Sequence, residues 1–198
     1  MGVITAMRRT TISTLAIFLV LSVMVAKPGP AAAQIISPTR NAVSFSFAAF
    51  SGAPVYTLGV VYQLSRPWDL TFAYSFQSVG GVSSNLLGLG ARYHLATTAP
   101  GVDVFFGGGL GSASATFPGF GTLSASGLFV GAGTSLTPPG GVLTLYLSGN
   151  LYSLGRTQSS VIDLGVQARL APMVSGQLGY ISFSGSAAAY LGFVLSLP

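Results

Sequence analysis

The sequence predicts an all-β protein: an antiparallel up-and-down transmembrane β-barrel of about ten strands, preceded by a helical signal peptide. Three observations predict it: a two-residue hydrophobic period after residue 40, a charged fraction of only 6%, and an N-terminal export signal. Residues 68–77 read W-D-L-T-F-A-Y-S-F-Q, in which apolar side chains alternate with polar or small ones. Successive side chains of a strand face opposite ways, so this strand has one apolar and one polar face. A barrel that turns its apolar face to lipid accounts for this pattern.

The composition is unlike that of an ordinary soluble domain. The chain has 198 residues, enough for one domain, and contains no Glu. Ordinary soluble domains carry about 25% charged residues, and a water-facing surface with so few charges would be poorly soluble. No apolar run after residue 40 approaches the roughly 20 residues that a membrane helix needs. Any membrane contact of the mature chain would therefore be made by strands.

The positive charge does not indicate a nucleic-acid partner. Outside the export signal, the charged residues are Arg40, Arg66, Arg92, Arg156 and Arg169 against Asp69, Asp103 and Asp163. The arginines are scattered and form no basic patch, so no nucleic acid is expected to bind. The chain has no Cys, which excludes disulfides and thiolate metal sites.

The N-terminal segment has the three parts of a secretory signal peptide. Arg8 and Arg9 precede an apolar stretch at 15–26, and three alanines at 31–33 provide a small-residue cleavage site. Cleavage there would make Gln34 the new N-terminus, and an uncleaved membrane anchor is the alternative. The predicted division of the chain is residues 1–33 as signal peptide, 34–41 as a short lead-in and 42–198 as the barrel.

Gly, Pro and Ser divide the mature chain into about ten segments with strand character. These are 42–51, 54–65, 68–79, 83–96, 101–113, 122–136, 141–153, 160–171, 173–183 and 187–197. Their lengths are close to the 9–11 residues that cross a bilayer at a tilt, and an even number suits a bacterial barrel. The alternation is weakest in the last two segments, so eight strands is the alternative.

The connections predict an orientation. Those after even-numbered segments carry proline, whereas those after odd-numbered segments are rich in Gly and Ser and include the longest, at 112–122. Outer-membrane barrels have short periplasmic turns and longer external loops. We therefore expect the proline turns and both termini on the periplasmic side, and the Gly/Ser connections outside.

Outward-facing aromatic residues are expected at two levels of the barrel. Amphipathic rings favour the membrane–water boundaries, where lipid-embedded barrels carry aromatic girdles. The alternative is that these are ordinary aromatics in strands, which favour such residues. The predicted girdle residues are Tyr62, Trp68 and Tyr93 at the periplasmic ends of strands, and Tyr56, Tyr74 and Phe76 at the opposite ends.

Charged residues within the predicted strands fall on the polar face, toward the periplasmic end. We expect Asp69, Arg92 and Asp103 to form a lumen network of ion pairs, with His94 at its edge and Arg169 at a similar level. One interpretation is a selectivity constriction in a pore. The other, which the narrow lumen of a ten-stranded barrel favours, is a plug of salt bridges.

Glycines crowd the inner face of the fifth and sixth segments, around the stretch G-G-G-L-G. No Lys-Ser/Thr pair follows this stretch and no helix begins there, so it is not a nucleotide-binding loop. Glycine in a barrel strand permits curvature and leaves room for large side chains. We expect that room to be filled by Phe105, Phe129, Tyr146 and Tyr152. A small cavity for an apolar ligand is the alternative.

The inventory of reactive residues argues against an enzyme. His94 is the one histidine of the chain, and no distinctive nucleophile motif surrounds any Ser. Hydrolytic machinery usually needs a His oriented by a carboxylate, and metal sites need several ligands. We therefore predict no catalytic residue, no metal and no cofactor.

One hairpin resembles a known family. Residues 84–95 read S-N-L-L-G-L-G-A-R-Y-H-L, and 102–112 read V-D-V-F-F-G-G-G-L-G-S. This resembles the middle hairpin of small bacterial outer-membrane barrels of the outer-membrane-protein-A and porin-like type. The resemblance implies a barrel of eight to ten strands. Such barrels commonly end in an aromatic residue, whereas this chain ends L-G-F-V-L-S-L-P, with its last aromatic at Phe193.

Together these observations predict a protein of the cell outer membrane with a structural or envelope role, or a narrow passive pore. Its expected partners are outer-membrane lipid and, during biogenesis, periplasmic chaperones and the barrel-insertion machinery. The alternative is a soluble exported barrel that holds its apolar faces inside and binds a small apolar ligand.

Overall fold

The computed structural model describes residues 38–50 and 53–198, so the predicted signal peptide and residues 34–37 of the lead-in lie outside the described residues. Within the described ranges, no helix is long and apolar enough to cross a bilayer. Ten strands follow one another: β1 (Ala42–Phe50), β2 (Ala53–Gln63), β3 (Trp68–Val79), β4 (Val82–Leu95), β5 (Val102–Phe117), β6 (Gly121–Leu136), β7 (Leu143–Leu154), β8 (Thr157–Ala171), β9 (Val174–Phe183) and β10 (Ser186–Ser196). The prediction of ten strands is confirmed, and the eight-strand alternative is wrong.

The strands form one closed antiparallel barrel in which each strand pairs with its neighbours in sequence. β10 returns to β1, from the pair Ala42–Ser196 to the pair Ala48–Tyr190. Closure gives every strand two partners, so the sheet has no edge along its length. β9 and β10, whose sequence pattern is weakest, are paired on both sides, with one irregularity in the β8–β9 ladder between Arg169 and Ala171.

In the middle of the strands, most large apolar side chains face outward and most polar ones face inward. Leu110, Leu128 and Leu151 are each more than 60% exposed, although they lie in the middle of paired strands. Ser75 and Thr57, by contrast, are buried in the lumen and hydrogen bonded to each other at 2.9 Å. The inside-out arrangement expected of a barrel in lipid is therefore present in the structure.

The predicted long loop at 112–122 is mostly strand, and that prediction is wrong. β5 continues to Phe117 and β6 begins at Gly121, so the connection is the three-residue turn 118–120. Residues 112–117, S-A-S-A-T-F, alternate with a period of two, and each pairs with a residue of β6 up to the pair Phe117–Gly121. The interpretation as a loop overlooked this alternation because small residues carry little hydrophobic contrast.

Connection lengths are the reverse of the sequence-based expectation. We call the end of the barrel where β1 begins and β10 ends the terminal end, and the opposite end the far end. Far-end turns are tight, as at Gly80–Gly81, where both residues have positive φ and form a hairpin turn that glycine adopts without strain. Three of the four terminal-end connections are longer, at 64–67, 96–101 and 137–142, while the fourth, 172–173, is also a two-residue turn.

The strands themselves extend beyond the apolar band at the far end. Between the last large apolar outward residues of neighbouring strands, the far-end segments are 77–86, 111–127, 152–161 and 181–190. The corresponding terminal-end segments are 65–67, 96–103, 137–142 and 171–173, and each is shorter than all four of these far-end segments. Measured from the apolar band rather than from strand ends, the far end projects further.

Candidate functional site

The polar part of the lumen at the terminal end is organised around Asp69. This side chain, on β3, is fully buried and is directly opposite Arg92 on β4. Arg92 Nη2 donates to Asp69 Oδ2 at 3.2 Å, and His94 Nε2 lies 2.7 Å from the same oxygen. Arg40, just before β1, brings its Nε to 3.4 Å from Oδ1. Three basic side chains thus surround one buried carboxylate.

His94 joins Asp69 to a second carboxylate. Its Nδ1 lies 2.9 Å from both oxygens of Asp103, which is on β5 and about one-third exposed. A neutral imidazole has a single N–H, so donation from both ring nitrogens requires the imidazolium form. Beside this group, the Arg92 guanidinium lies 4.8 Å from the ring centre of Phe105, within cation–π range.

The structure brings together four of the five residues predicted for the lumen network and adds one. Asp69, Arg92, His94 and Asp103 are in contact through hydrogen bonds and ion pairs. Arg169 is at the end of β8 and exposed, with its guanidinium near Gly141 in the β6–β7 connection, so it is not among the contacting residues. Arg40 was missed because its position before β1 gives no alternation from which to assign a face.

Residues 39–41, at the end of the lead-in, contact opposite sides of the terminal mouth of the lumen. Gln167 on β8 donates from Nε2 to Thr39 Oγ1 at 2.7 Å, while Arg40 reaches Asp69 on β3. Asn41 has a positive φ of 47° and accepts the Gln63 N–H on its side-chain oxygen at 2.8 Å. Contacts to β2, β3 and β8 anchor this short segment on both sides of the opening.

A second polar cluster lies deeper, across β7 to β10. One row of the sheet reads Tyr146, Gly165, Gly179, Tyr190 on four successive strands. The two glycines leave space over which the two rings lie, and the phenol oxygens meet in a hydrogen bond. Such packing of an aromatic ring over a glycine on a neighbouring strand is a known means of stabilising sheets.

Tyr190 connects this row to a buried carboxylate that forms no salt bridge with any described residue. Tyr190 donates its O–H to Asp163 Oδ1 at 2.8 Å, and Gln177 donates to Tyr146. Asp163 is 1% exposed, and its Oδ2 has no hydrogen-bond partner among the described residues. The sequence places Asp163 on the inner face, but the tyrosine cluster that surrounds it was not anticipated.

The other lumen aromatics pack over glycines in the same way. The Phe105 ring covers Gly133, the Phe129 ring covers Gly90, and Tyr152 stacks on Phe129 with ring centres 5.4 Å apart. This is the role expected of these rings in the glycine-rich sector. Above them, toward the far end, buried apolar side chains fill the lumen, including Phe50, Leu86, Val161, Ile181 and Phe183.

Side chains fill much of the lumen in successive layers. A void beside Arg92, Thr71 and Asn150 has a volume of about 20 Å³, enough for about one water molecule. A cavity of about 440 Å³ lies nearer the far end, against Phe129, Tyr152 and Ser184. Its lining comes from a single level of β6–β8 and the β9–β10 turn, so it does not connect the two mouths.

The six residues predicted as aromatic girdles all face outward and lie at two levels. Trp68, Tyr93 and Phe106 form one row near the terminal end, with ring centres 5.0 and 5.4 Å apart. Tyr62 lies near that row on β2, and Tyr74 lies on β3 close to the second level. Phe47, Tyr56 and Phe76 form a second row toward the far end. The two rows are eight residues apart on β3, about 26 Å along the strand.

Known proteins resemble this chain in fold alone. No protein-family model and no curated protein sequence matches it. The N-terminal β-barrel domain of Pseudomonas aeruginosa OprF is 16% identical, with 79% of this chain and 97% of that chain aligned and a TM-score of 0.42. The KdgM porin is 8% identical, with 79% of this chain and 99% of that chain aligned and a TM-score of 0.49. The NanC porin is 9% identical, with the same two coverages and a TM-score of 0.46.

Replacing Asp163 with asparagine is expected to leave the barrel as stable as before or to stabilise it by about 1 kcal/mol. A buried carboxylate without a cation costs free energy, whereas a neutral amide of the same shape still accepts the Tyr190 hydrogen bond. The measurement is the urea midpoint of the barrel refolded in lipid vesicles. A loss of about 3 kcal/mol or more, which is the cost of breaking a buried ion pair, would contradict this account.

Proposed function

We propose that this protein is an integral outer-membrane β-barrel with a structural role in the envelope, and that its lumen does not conduct. The observation that carries the proposal is the outward apolar band. On β3, for example, Trp68, Leu70 and Tyr74 are exposed while Asp69, Thr71 and Ser75 between them are buried. Such a surface is stable against lipid and unstable in water.

The length of the band supports a membrane span. On β7 the outward residues from Leu143 to Leu151 are apolar or glycine, and on β8 those from Ile162 to Leu170 are apolar. Nine residues at about 3.3 Å each, tilted by about 40°, give roughly 20 Å, near the 25 Å expected of a barrel's apolar belt. We place the far end outside the cell, because it projects further from the band.

The alternative of a soluble barrel around an apolar ligand requires the opposite side-chain orientation. In that barrel Ser, Thr and Gln would face water and Leu and Phe would face inward. Here Ser44, Gln77 and Gln177 are 3–4% exposed, while Leu89 and Phe193 are 55% exposed. The alternative is therefore not supported.

The arrangement around His94 supports a non-enzymatic role. A catalytic histidine needs one ring nitrogen free to exchange a proton with a nucleophile or leaving group. Both nitrogens of His94 are engaged by carboxylates, Nδ1 by Asp103 and Nε2 by Asp69. The group therefore fits a structural ion-pair cluster.

Membrane fractionation tests the proposed location. The mature protein is expected in the outer-membrane fraction, to need detergent for solubility, and to migrate differently on a gel when heated, because a closed barrel resists unfolding until then. Recovery as a soluble periplasmic monomer would rule the proposal out.

Planar-bilayer recording tests whether the lumen is closed. The reconstituted barrel is expected to show no steady single-channel conductance, because the ion-pair layer and the apolar layer both close the lumen. The Arg92→Ala variant is expected to lower stability rather than to change an ion selectivity. Steady channels in the wild-type protein, with a selectivity that this substitution shifts, would contradict a closed lumen.

A further inference from the structure

Hydroxyl side chains form a regular array on the outer face of the barrel, just beyond the apolar band at the far end. Three cross-strand pairs of β5 and β6 lie on this face: Ser112–Ser126, Ser114–Ser124 and Thr116–Thr122. The array continues onto β4, where Ser83 is opposite Thr116 and Asn85 is opposite Ser114. The first apolar residues below it on these strands are Leu87, Leu110 and Leu128.

The array is pre-ordered by its own hydrogen bonds. Thr116 and Thr122 hydroxyls are 2.8 Å apart, Ser126 donates to Ser112 at 3.1 Å, and Ser114 donates to Asn85 at 3.0 Å. Each hydroxyl used in this way keeps acceptor capacity for a further partner. Successive outward side chains along each strand are about 6.7 Å apart, so the array presents several hydrogen-bonding groups side by side on one face.

One cation adjoins this array. Arg156 is exposed in the β7–β8 turn, and the preceding Gly155 donates its N–H to the Ser126 carbonyl at 3.2 Å. Among the described residues 78–85, 112–126, 153–160 and 182–187 at the far end, Arg156 is the single charged side chain. A ligand for this surface would therefore combine many hydroxyl groups with at least one anionic group.

The tip of the β5–β6 hairpin reaches beyond phospholipid headgroups. From Ser112 to Phe117 the strand rises about 16 Å, or about 12 Å along the membrane normal at the usual tilt. The headgroup layer adds only about 5–8 Å to each side of the hydrocarbon core. Phe120 at the tip is 93% exposed, so its ring is available to a partner that extends further from the membrane than a phospholipid does.

We propose that this surface, formed by the hairpin of residues 112–126 together with Arg156, binds the phosphorylated saccharide headgroup of a glycolipid in the outer leaflet. The hydroxyl array would contact the sugars, Arg156 would pair with a phosphate, and Phe120 would pack on an outer sugar ring. The inference rests on the proposed membrane location, since only an inserted barrel presents the array at headgroup level. It adds a specific lipid class and named contact residues to that location.

The experiment compares binding of two lipids to the purified full barrel in neutral-lipid nanodiscs. The probes are a phosphorylated rough-type lipopolysaccharide and phosphatidylglycerol, an anionic lipid without sugars. The variants are Arg156→Gln and the double variant Ser114→Leu with Ser124→Leu; the matched control is Arg66→Gln, an exposed arginine at the terminal end. Amide hydrogen exchange of residues 112–126 gives a second measurement.

The lipopolysaccharide is expected to slow exchange in residues 112–126 and to bind the wild-type barrel about tenfold more tightly than either far-end variant, with Arg66→Gln unchanged. The inference would be overturned if the barrel bound phosphatidylglycerol as tightly as lipopolysaccharide, or if Arg156→Gln and Arg66→Gln lost equal affinity for lipopolysaccharide. Either result would mean that binding is only charge attraction. If the barrel inserts into lipid and is heat-modifiable but gives either of these contradicting results, the proposed function stays intact and only this inference fails. A barrel that does not insert into lipid would overturn both.

Discussion

Replacing Asp69 with asparagine is expected to lower the free energy of unfolding by about 3–5 kcal/mol, the largest single loss predicted for the terminal-end network. The substitution keeps the shape of the side chain but removes its charge. Asp69 is fully buried and is contacted by Arg92, His94 and Arg40. Arg92 is itself only 4% exposed, so it would stay buried without the carboxylate that compensates its desolvation.

The measurement is a urea titration of the barrel refolded in phosphatidylcholine vesicles. The fluorescence of Trp68, the single tryptophan, reports loss of the lipid-facing environment, and the heat-dependent gel shift provides an independent measure because Trp68 is adjacent to the substitution. Both are expected to show the midpoint moving to lower urea with the cooperativity unchanged.

Asp103→Asn is the matched control for this prediction. Asp103 contacts Nδ1 of His94, but its side chain is 37% exposed. In Asp103→Asn, water can therefore replace much of the hydrogen bonding and solvation that the carboxylate gives to His94. Its loss is expected to be about 1 kcal/mol or less, in the range of exposed ion pairs. Equal losses at Asp69 and Asp103 would show that burial of the first carboxylate does not matter, and would contradict the account.

The parts of the fold that the sequence predicts well are those with strong chemical contrast between neighbouring residues. W-D-L-T-F-A-Y-S in β3 alternates large apolar with polar side chains, which gives both the strand and the face. The register between Asp69 and Arg92 then follows from the tight Gly80–Gly81 turn. Their pairing is therefore accessible from local pattern and turn chemistry alone.

The parts that the sequence does not predict depend on contacts between distant strands or on weak contrast. The sequence at the end of β5 predicts a loop rather than a strand, because Ser and Ala differ little in hydrophobicity. The meeting of Tyr146 with Tyr190 needs the registers of β7, β8, β9 and β10 together, and a one-residue slip in any of them would send a ring to the lipid face. The contact of Arg40 with Asp69 depends on the path of the lead-in, for which no periodicity exists.

Introducing a single methyl group at Gly165 is expected to lower the free energy of unfolding by about 1–3 kcal/mol. A Cβ atom there would lie 2.5 Å from the Tyr146 ring and 2.8 Å from the Leu178 carbonyl oxygen. The carbonyl is part of the sheet and cannot move aside, so the Tyr146 ring must leave its place over the glycine. That movement would also break its hydrogen bonds to Tyr190 and Gln177.

Gly149→Ala on β7 is the matched control, measured by the same urea titration. A Cβ atom at Gly149 would have the Val161 carbonyl oxygen 3.9 Å away, which is ordinary contact, and alanine restricts the unfolded chain more than glycine does. This variant is expected to be as stable as the wild type or slightly more so. In Gly165→Ala, a further Tyr146→Ala substitution removes the clash with the ring and leaves only the one with the Leu178 carbonyl, so the double variant should be less destabilised than the two single losses added together. Strict additivity would mean that the ring does not occupy the space over Gly165, and the closed aromatic layer inferred for the lumen would then be wrong.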